Sequence, residues 1–169
     1  RCSSIVKVDL FDCQGLSGPL NGFASCPKLE LLNLSRTAVS GSLLPLEQCP
    51  SLRLLNLDHC AGIDHTTVAF LKPCTKLQNI NLHGCLGDSV NAPSSQSLAS
   101  DAGTFAQQTL LEVAPMKYIE VFGGCRNILR INMQSCEHIT GTLEPFAACR
   151  KLRSLNFNKT GVFGSLAPL

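Results

Sequence analysis

The sequence has no tryptophan, one tyrosine (Tyr118) and two methionines, and aromatic side chains make up only 5% of it. That scarcity argues against a stacking platform for single-stranded nucleic acid, which needs several aromatic faces in a row. Charge is sparse and balanced: 14 basic against 12 acidic side chains leave a net charge of +2. A nucleic-acid-binding domain carries a basic footprint, so no nucleic-acid partner is expected. No apolar run approaches the ~20 residues that cross a bilayer, so no transmembrane segment of its own is expected. The chain also lacks a G-x-x-x-x-G-K-S/T phosphate loop, a G-x-G-x-x-G turn and an H-E-x-x-H pair. No C-x2-C occurs, although zinc sites usually draw on such local pairs. The expectation is therefore no cofactor, no metal and no catalytic residue.

What is abundant is leucine, 27 of 169 residues, together with ten cysteines. Both follow one spacing. The pattern L-x-x-L-x-L occurs as Ile5/Val8/Leu10, Leu29/Leu32/Leu34, Leu52/Leu55/Leu57, Leu77/Ile80/Leu82, Ile128/Ile131/Met133 and Leu152/Leu155/Phe157. Successive last members are 24, 23, 25, 51 and 24 residues apart, so one interval is of double length. Cys13, Cys60, Cys85 and Cys136 stand three residues after the last member, where Thr37 and Thr160 stand in the other two units. Cys2, Cys26, Cys49, Cys74, Cys125 and Cys149 stand three residues before the first member. No cysteine falls outside the register. One cysteine per slot per unit argues for free, buried thiols in an intracellular compartment. A disulfide framework and a cysteine metal site are less favoured alternatives.

These motifs resemble the leucine-rich repeat family, L-x-x-L-x-L-x-x-(N/C)-x-L, over nearly the whole chain. Cys60-Ala-Gly-Ile63 through Cys74 is similar to the cysteine-containing subtype common in F-box substrate receptors. Leu16-Ser-Gly18-Pro-Leu20, Val39-Ser-Gly41-Ser-Leu43, Ile139-Thr-Gly141-Thr-Leu143 and Val162-Phe-Gly164-Ser-Leu166 are similar to the plant-type segment, which hints at a plant or algal source. The resemblance implies an α/β fold: a right-handed leucine-rich repeat solenoid with a parallel sheet on its concave face. About six repeats of 23–25 residues start near 5, 29, 52, 77, 128 and 152. One unit cannot bury its apolar side alone, so stacked units bury it against their neighbours. The G-x-L segments should form a second extended stretch. The ends Phe23–Cys26, Leu46–Cys49, Leu71–Cys74, Phe122–Cys125 and Phe146–Cys149 should form short helical turns on the convex side.

Outward positions on such a sheet form columns. Asp9, Asn33, Asn56, Asn81, Asn132 and Asn156 make a near-uniform column, read here as a side-chain amide ladder. The flanking columns vary: Lys7, Leu31, Leu54, Asn79, Arg130, Ser154; then Phe11, Ser35, Asp58, His83, Gln134, Asn158; then Asp12, Arg36, His59, Gly84, Ser135, Lys159. Phe11, Leu31 and Leu54 are expected as exposed apolar contact points. Asp58 and His83 share a column in adjacent units and can pair. With His59 they are read as a surface hydrogen bond beside structural cysteines, with a metal or thiol site as the less favoured reading. Arg126, Arg150, Lys151 and Arg153 form a basic corner in a C-terminal third whose net charge is +4.

The double-length unit places an insertion at about 88–115. A loop is expected over 88–96. A helix is expected over 101–114, with Phe105 and Leu110 on its apolar face and Pro115 ending it. Both ends of the chain stop within the repeat pattern without polar caps, so longer native sequence or covering subunits are expected. The resulting expectation is one solenoid, a non-catalytic scaffold that binds a protein partner. Its candidate contacts are Phe11, Leu31, Leu54, Asp58, His59, His83, Arg130, Arg126, Arg150, Lys151, Phe105 and Leu110. Other readings are an accessory subunit of a large, possibly membrane, assembly; the substrate-recognition part of an F-box ubiquitin ligase; and a plant-type receptor ectodomain.

Overall fold

The computed structural model describes residues 2–85 and 118–169. The expected loop and helix of the 88–115 segment, with Phe105 and Leu110, lie outside the described residues. Short alternating apolar stretches give short strands. In chain order these are β1 (Lys7–Asp9), β2 (Ser17–Pro19), β3 (Leu31–Asn33), β4 (Ala38–Ser42), β5 (Leu54–Asn56), β6 (Gly62–Asp64), β7 (Asn79–Asn81), β8 (Arg130–Asn132), β9 (Thr140–Gly141), β10 (Ser154–Asn156) and β11 (Gly161–Val162). Every pairing among them is parallel. The main sheet runs β1-β3-β5-β7-β8-β10, one strand per repeat. β7 and β8 pair directly, Asn79 opposite Arg130, although residues 86–117 separate their two coils in sequence.

Period-2 alternation decides what each strand buries. Leu32, Leu55, Ile80 and Ile131 point into the core, while their neighbours in each strand face outward. Leu29, Leu52, Leu77 and Ile128 at the entry and Leu34, Leu57, Leu82 and Met133 at the exit are buried as well. Each fully buried leucine contributes about 1.5–3 kcal/mol.

The backbone ladder extends beyond the three-residue strands. At the strand exit each coil donates to the next: Leu10 to Asn33 (2.8 Å), Leu34 to Asn56 (2.9 Å), Leu57 to Asn81 (2.9 Å), Leu82 to Asn132 (2.8 Å) and Met133 to Asn156 (2.9 Å). At the strand entry one carbonyl accepts two consecutive N–H groups of the following coil. Glu30 accepts from Arg53 and Leu54, Arg53 from Gln78 and Asn79, and Gln78 from Leu129 and Arg130.

The G-x-L segments form the expected second layer: β2-β4-β6 in one sheet and β9 with β11 in another. The cysteine-type unit joins this layer through β6, where Gly62 lies opposite Ser40. A Cβ on Gly62 would lie 2.7 Å from the Ser40 Cβ, so a bare backbone is what lets the two strands meet.

The convex ends are 3-10 helices: η1 (Leu20–Ser25), η2 (Leu44–Gln48), η3 (His65–Leu71), η4 (Tyr118–Gly124) and η5 (Glu144–Ala148). Every helical segment among the described residues is of this kind. Pro45 and Pro145 stand in the first turns of η2 and η5, where a missing N–H costs nothing. Each of the five segments passes into a turn that its cysteine helps to close. The Cys26, Cys49, Cys74, Cys125 and Cys149 N–H groups donate to Phe23, Leu46, Leu71, Phe122 and Phe146, at 2.8–2.9 Å.

The thiols link one coil to another. Cys60, Cys85 and Cys136 donate to the Leu34, Leu57 and Leu82 carbonyls of the preceding coil, at 3.0, 3.2 and 3.2 Å. Thr37 and Thr160 occupy the same slot but donate within their own coil, to Leu34 (2.7 Å) and Phe157 (2.6 Å). On the convex side Cys49 donates to Phe23 and Cys74 to Leu46, both at 3.4 Å. All ten cysteines are free, and eight are buried. Cys2 and Cys13 are exposed, unlike the expected buried thiols.

Burial pushes the Cys136 thiol up to about 12 from the ordinary 9.0. Burial first and neighbouring thiols second push Cys74 up to about 12, and Cys49 and Cys125 up to about 11. Thiols held protonated are poor nucleophiles. In the folded 169-residue chain a thiol reagent should therefore label two cysteines rapidly, Cys2 and Cys13, and the remainder only on unfolding. Mass spectrometry of the labelled chain checks this. Raised values in the folded state also set the sign of an alkaline effect. The stabilisation is complete below the ordinary thiol value and is lost as pH rises through the folded ones. Denaturant titrations should show stability falling from pH 9 upward.

Candidate binding face

The outer face of the main sheet is built from the positions that flank each buried strand centre. Strand register sets Lys7, Leu31, Leu54, Asn79, Arg130 and Ser154 side by side. Leu54, Asn79, Arg130 and Ser154 line a shallow hollow of about 310 Å³ together with Asn56, Asn81 and Asn132. Two of the expected contacts, Leu54 and Arg130, thus meet at one site. Leu31 and Leu54 are neighbours, as the register implied, but they are partly buried rather than exposed. Side-by-side placement in adjacent strands covers much of each leucine. Phe11 remains 56% exposed and carries the Arg36 guanidinium over its ring, 5.9 Å from the centroid.

The asparagine column is not the amide ladder that its uniformity suggested. The Oδ1 atoms of Asn33, Asn56, Asn81, Asn132 and Asn156 accept from the backbone N–H two residues on, at 3.1–3.3 Å. These are local turns of the kind asparagine favours. With Oδ1 engaged locally, Nδ2 is left to reach across. It reaches Asp9 from Asn33 (2.8 Å), Ser35 from Asn56 (3.3 Å) and Gln134 from Asn156 (3.1 Å). Among the described residues, the amides support the turn more than they pair with one another.

That turn requires a left-handed residue next. Asp12, Arg36, His59, Ser135 and Lys159 have φ of 58, 59, 58, 62 and 55°, and Gly84 has 71°. A whole outer column is thus a backbone necessity, and each non-glycine member costs about 1–2 kcal/mol in that conformation.

The fourth and third coils bring Asp58, His59 and His83 together. His83 Nδ1 lies 2.9 Å from Asp58 Oδ1, and His59 Nδ1 lies 3.0 Å from Asp58 Oδ2. The two imidazoles meet edge to face with centroids 4.8 Å apart. Burial opposes ionisation of Asp58, but the hydrogen bonds and charge of His59 and His83 outweigh it, so its carboxyl sits below the ordinary value. Cys60 and Cys85 lie beneath, with their thiols turned to backbone carbonyls.

The basic residues sit elsewhere. Arg126, Arg150 and Lys151 are exposed in the turns that precede β8 and β10, at the edge where the chain enters the sheet. Lys151 donates to the Asn127 side chain of the coil before, at 2.9 Å. Register alone would have found Asn79 and Ser154, which share a column with Leu54 and Arg130; Asn132 belongs to the asparagine column, which offered no expected contact.

No protein-family profile matches the chain, and no curated protein matches it. Solved structures do. The leucine-rich repeat ectodomain of the plant membrane receptor kinase GASSHO1/SCHENGEN3 from Arabidopsis thaliana, in complex with CASPARIAN STRIP INTEGRITY FACTOR 2, aligns over 95% of this chain with a TM-score of 0.50 at 15% identity. The fold is a leucine-rich repeat solenoid. The chain spans about a fifth of that ectodomain, 19% of its length. Internalin C2 from Listeria monocytogenes aligns over 97% of this chain and 75% of its own, with a TM-score of 0.44 at 13% identity. No helix among the described residues of this solenoid is long and apolar enough to cross a membrane.

The lowered Asp58 value carries a signed expectation. A depressed folded value stabilises above the ordinary carboxylate value of 3.8, and this is lost as pH falls through the folded one. Asp58→Asn should therefore be less stable than the parent at pH 6. The gap should narrow below pH 4 in urea titrations.

Proposed function

We propose that the chain is a non-catalytic scaffold that holds a protein partner on the face of its main sheet. The observation that carries this reading is the hollow formed by Leu54, Asn79, Arg130 and Ser154. Beneath it the coils repeat apolar strand centres and exits, a cysteine or threonine slot and an asparagine turn. At its rim the side chains change from coil to coil, and specificity requires such differences. Its apolar centre, with amides and one guanidinium around it, has the character of a protein contact: an apolar core, a polar rim and an arginine anchor.

Catalysis has little support on this face. The cysteines beneath it are held as protonated thiols. The Arabidopsis ectodomain of the same fold is itself seen in a complex, which fits a partner-holding role. Ten free cysteines suit a reducing, intracellular compartment.

The test is capture of a partner from the source organism. It uses the parent, Leu54→Asp/Arg130→Glu, and a chain lacking 88–115. A stoichiometric partner should be retained by the parent and by the deletion, and lost from the double variant, with binding weakened at least tenfold. Retention by the double variant and loss from the deletion would move binding to the inserted segment and overturn the reading.

A further inference from the structure

We propose that Asp58, His59 and His83 form a binding site for a divalent transition-metal ion of the zinc type, open to solvent on the outer face. The sequence reading treated these three residues as a surface hydrogen bond, and the geometry goes further. Among the described residues they are the group whose metal-ligating atoms converge, all within 4.8 Å of one another. Both imidazoles present the same atom, Nδ1, to the two oxygens of a single carboxylate. Two imidazoles and one carboxylate are a donor set that zinc and its neighbours in the first transition row accept, leaving further positions for water or a partner's side chain.

The surroundings favour an ion there. The left-handed turn aims His59 back over the next coil, and the residue below it in that column is Gly84. A Cβ on Gly84 would make only ordinary contacts with His59, 3.5 Å to its Cα and 3.7 Å to its Cδ2, so nothing in that position crowds the ring. Arg36, one coil earlier in the same column, stacks on Phe11. The buried thiols of Cys60 and Cys85 are committed to the Leu34 and Leu57 carbonyls and do not compete as ligands. Each neutral imidazole needs only to carry its proton on Nε2 for Nδ1 to offer a lone pair. The ion then takes the place of the two hydrogen bonds to Asp58 and ties the third coil to the fourth.

The test uses the full chain carrying Cys2→Ser and Cys13→Ser, because exposed thiols also bind zinc. Calorimetric titration with Zn²⁺ should give one ion per chain, and Mg²⁺ should neither bind nor compete. His59→Ala, His83→Ala and Asp58→Asn should each weaken Zn²⁺ binding by at least about tenfold, in line with the 10–100-fold cost of losing even an outer-shell partner. Circular dichroism without the ion should match the parent in each variant. The imidazole nitrogen resonances of His59 and His83 should shift on adding Zn²⁺, whichever variants fold. No Zn²⁺ binding, or full binding by His59→Ala/His83→Ala, would overturn the proposal.

Discussion

A three-residue strand has too little contact to exist alone, and the whole molecule follows from how that deficit is met. Each coil leaves a row of backbone donors and acceptors at both edges, and only an equivalent coil can satisfy them in register. The bonds from Leu34 to Asn56 and from Leu57 to Asn81 are the same bond repeated. Parallel pairing fixes the spacing between coils. The spacing fixes how much room lies between successive leucine layers, and leucine and isoleucine fill it. The cysteines belong to the same constraint. A thiol is small enough for the narrow slot at the strand exit and can donate to the carbonyl of the coil before.

This arrangement separates what must be constant from what is free to vary. Residues inside the coil are dictated by their copies above and below. Two outer columns are dictated as well, by the asparagine turn and by the left-handed residue after it. What is left for recognition is narrower than the open face suggests. It is the column from Lys7 to Ser154, the column from Phe11 to Asn158, and those side chains of the left-handed column that the turn points outward. The hollow at Leu54 and Arg130 draws on the first of these, and the Asp58–His83 pair on the second.

The repeat spacing was enough to place the strands, because solenoid contacts join equivalent positions and one correct register predicts all of them. It placed Asp58 beside His83 for the same reason. It could not show that His59 returns to the same carboxylate, since that depends on a positive φ. Arginine, serine and lysine give no sign of a left-handed backbone; among the six, Gly84 gives the plainest hint, and Asp12 and His59 are of types that tolerate it. The asparagines misled for a related reason. Uniformity suggested contact along the column, whereas each amide first serves its own turn. Partial burial of Leu31 and Leu54 depends on the side chains beside them, which a column of letters does not measure.

The central claim is that edge-to-edge backbone bonds join all six coils into one continuous stack, including across β7 and β8. Native-state hydrogen exchange of individual amides tests it most directly. Leu34, Leu57, Leu82 and Met133 should all be strongly protected, because each donates to the coil that follows. Leu82 is decisive, since its acceptor, Asn132, lies on the far side of residues 86–117. Protection of Leu82 comparable to that of Leu57 is the expected result. Exchange at the rate of an exposed amide, with Leu34 and Leu57 still protected, would show two separate stacks and contradict the account.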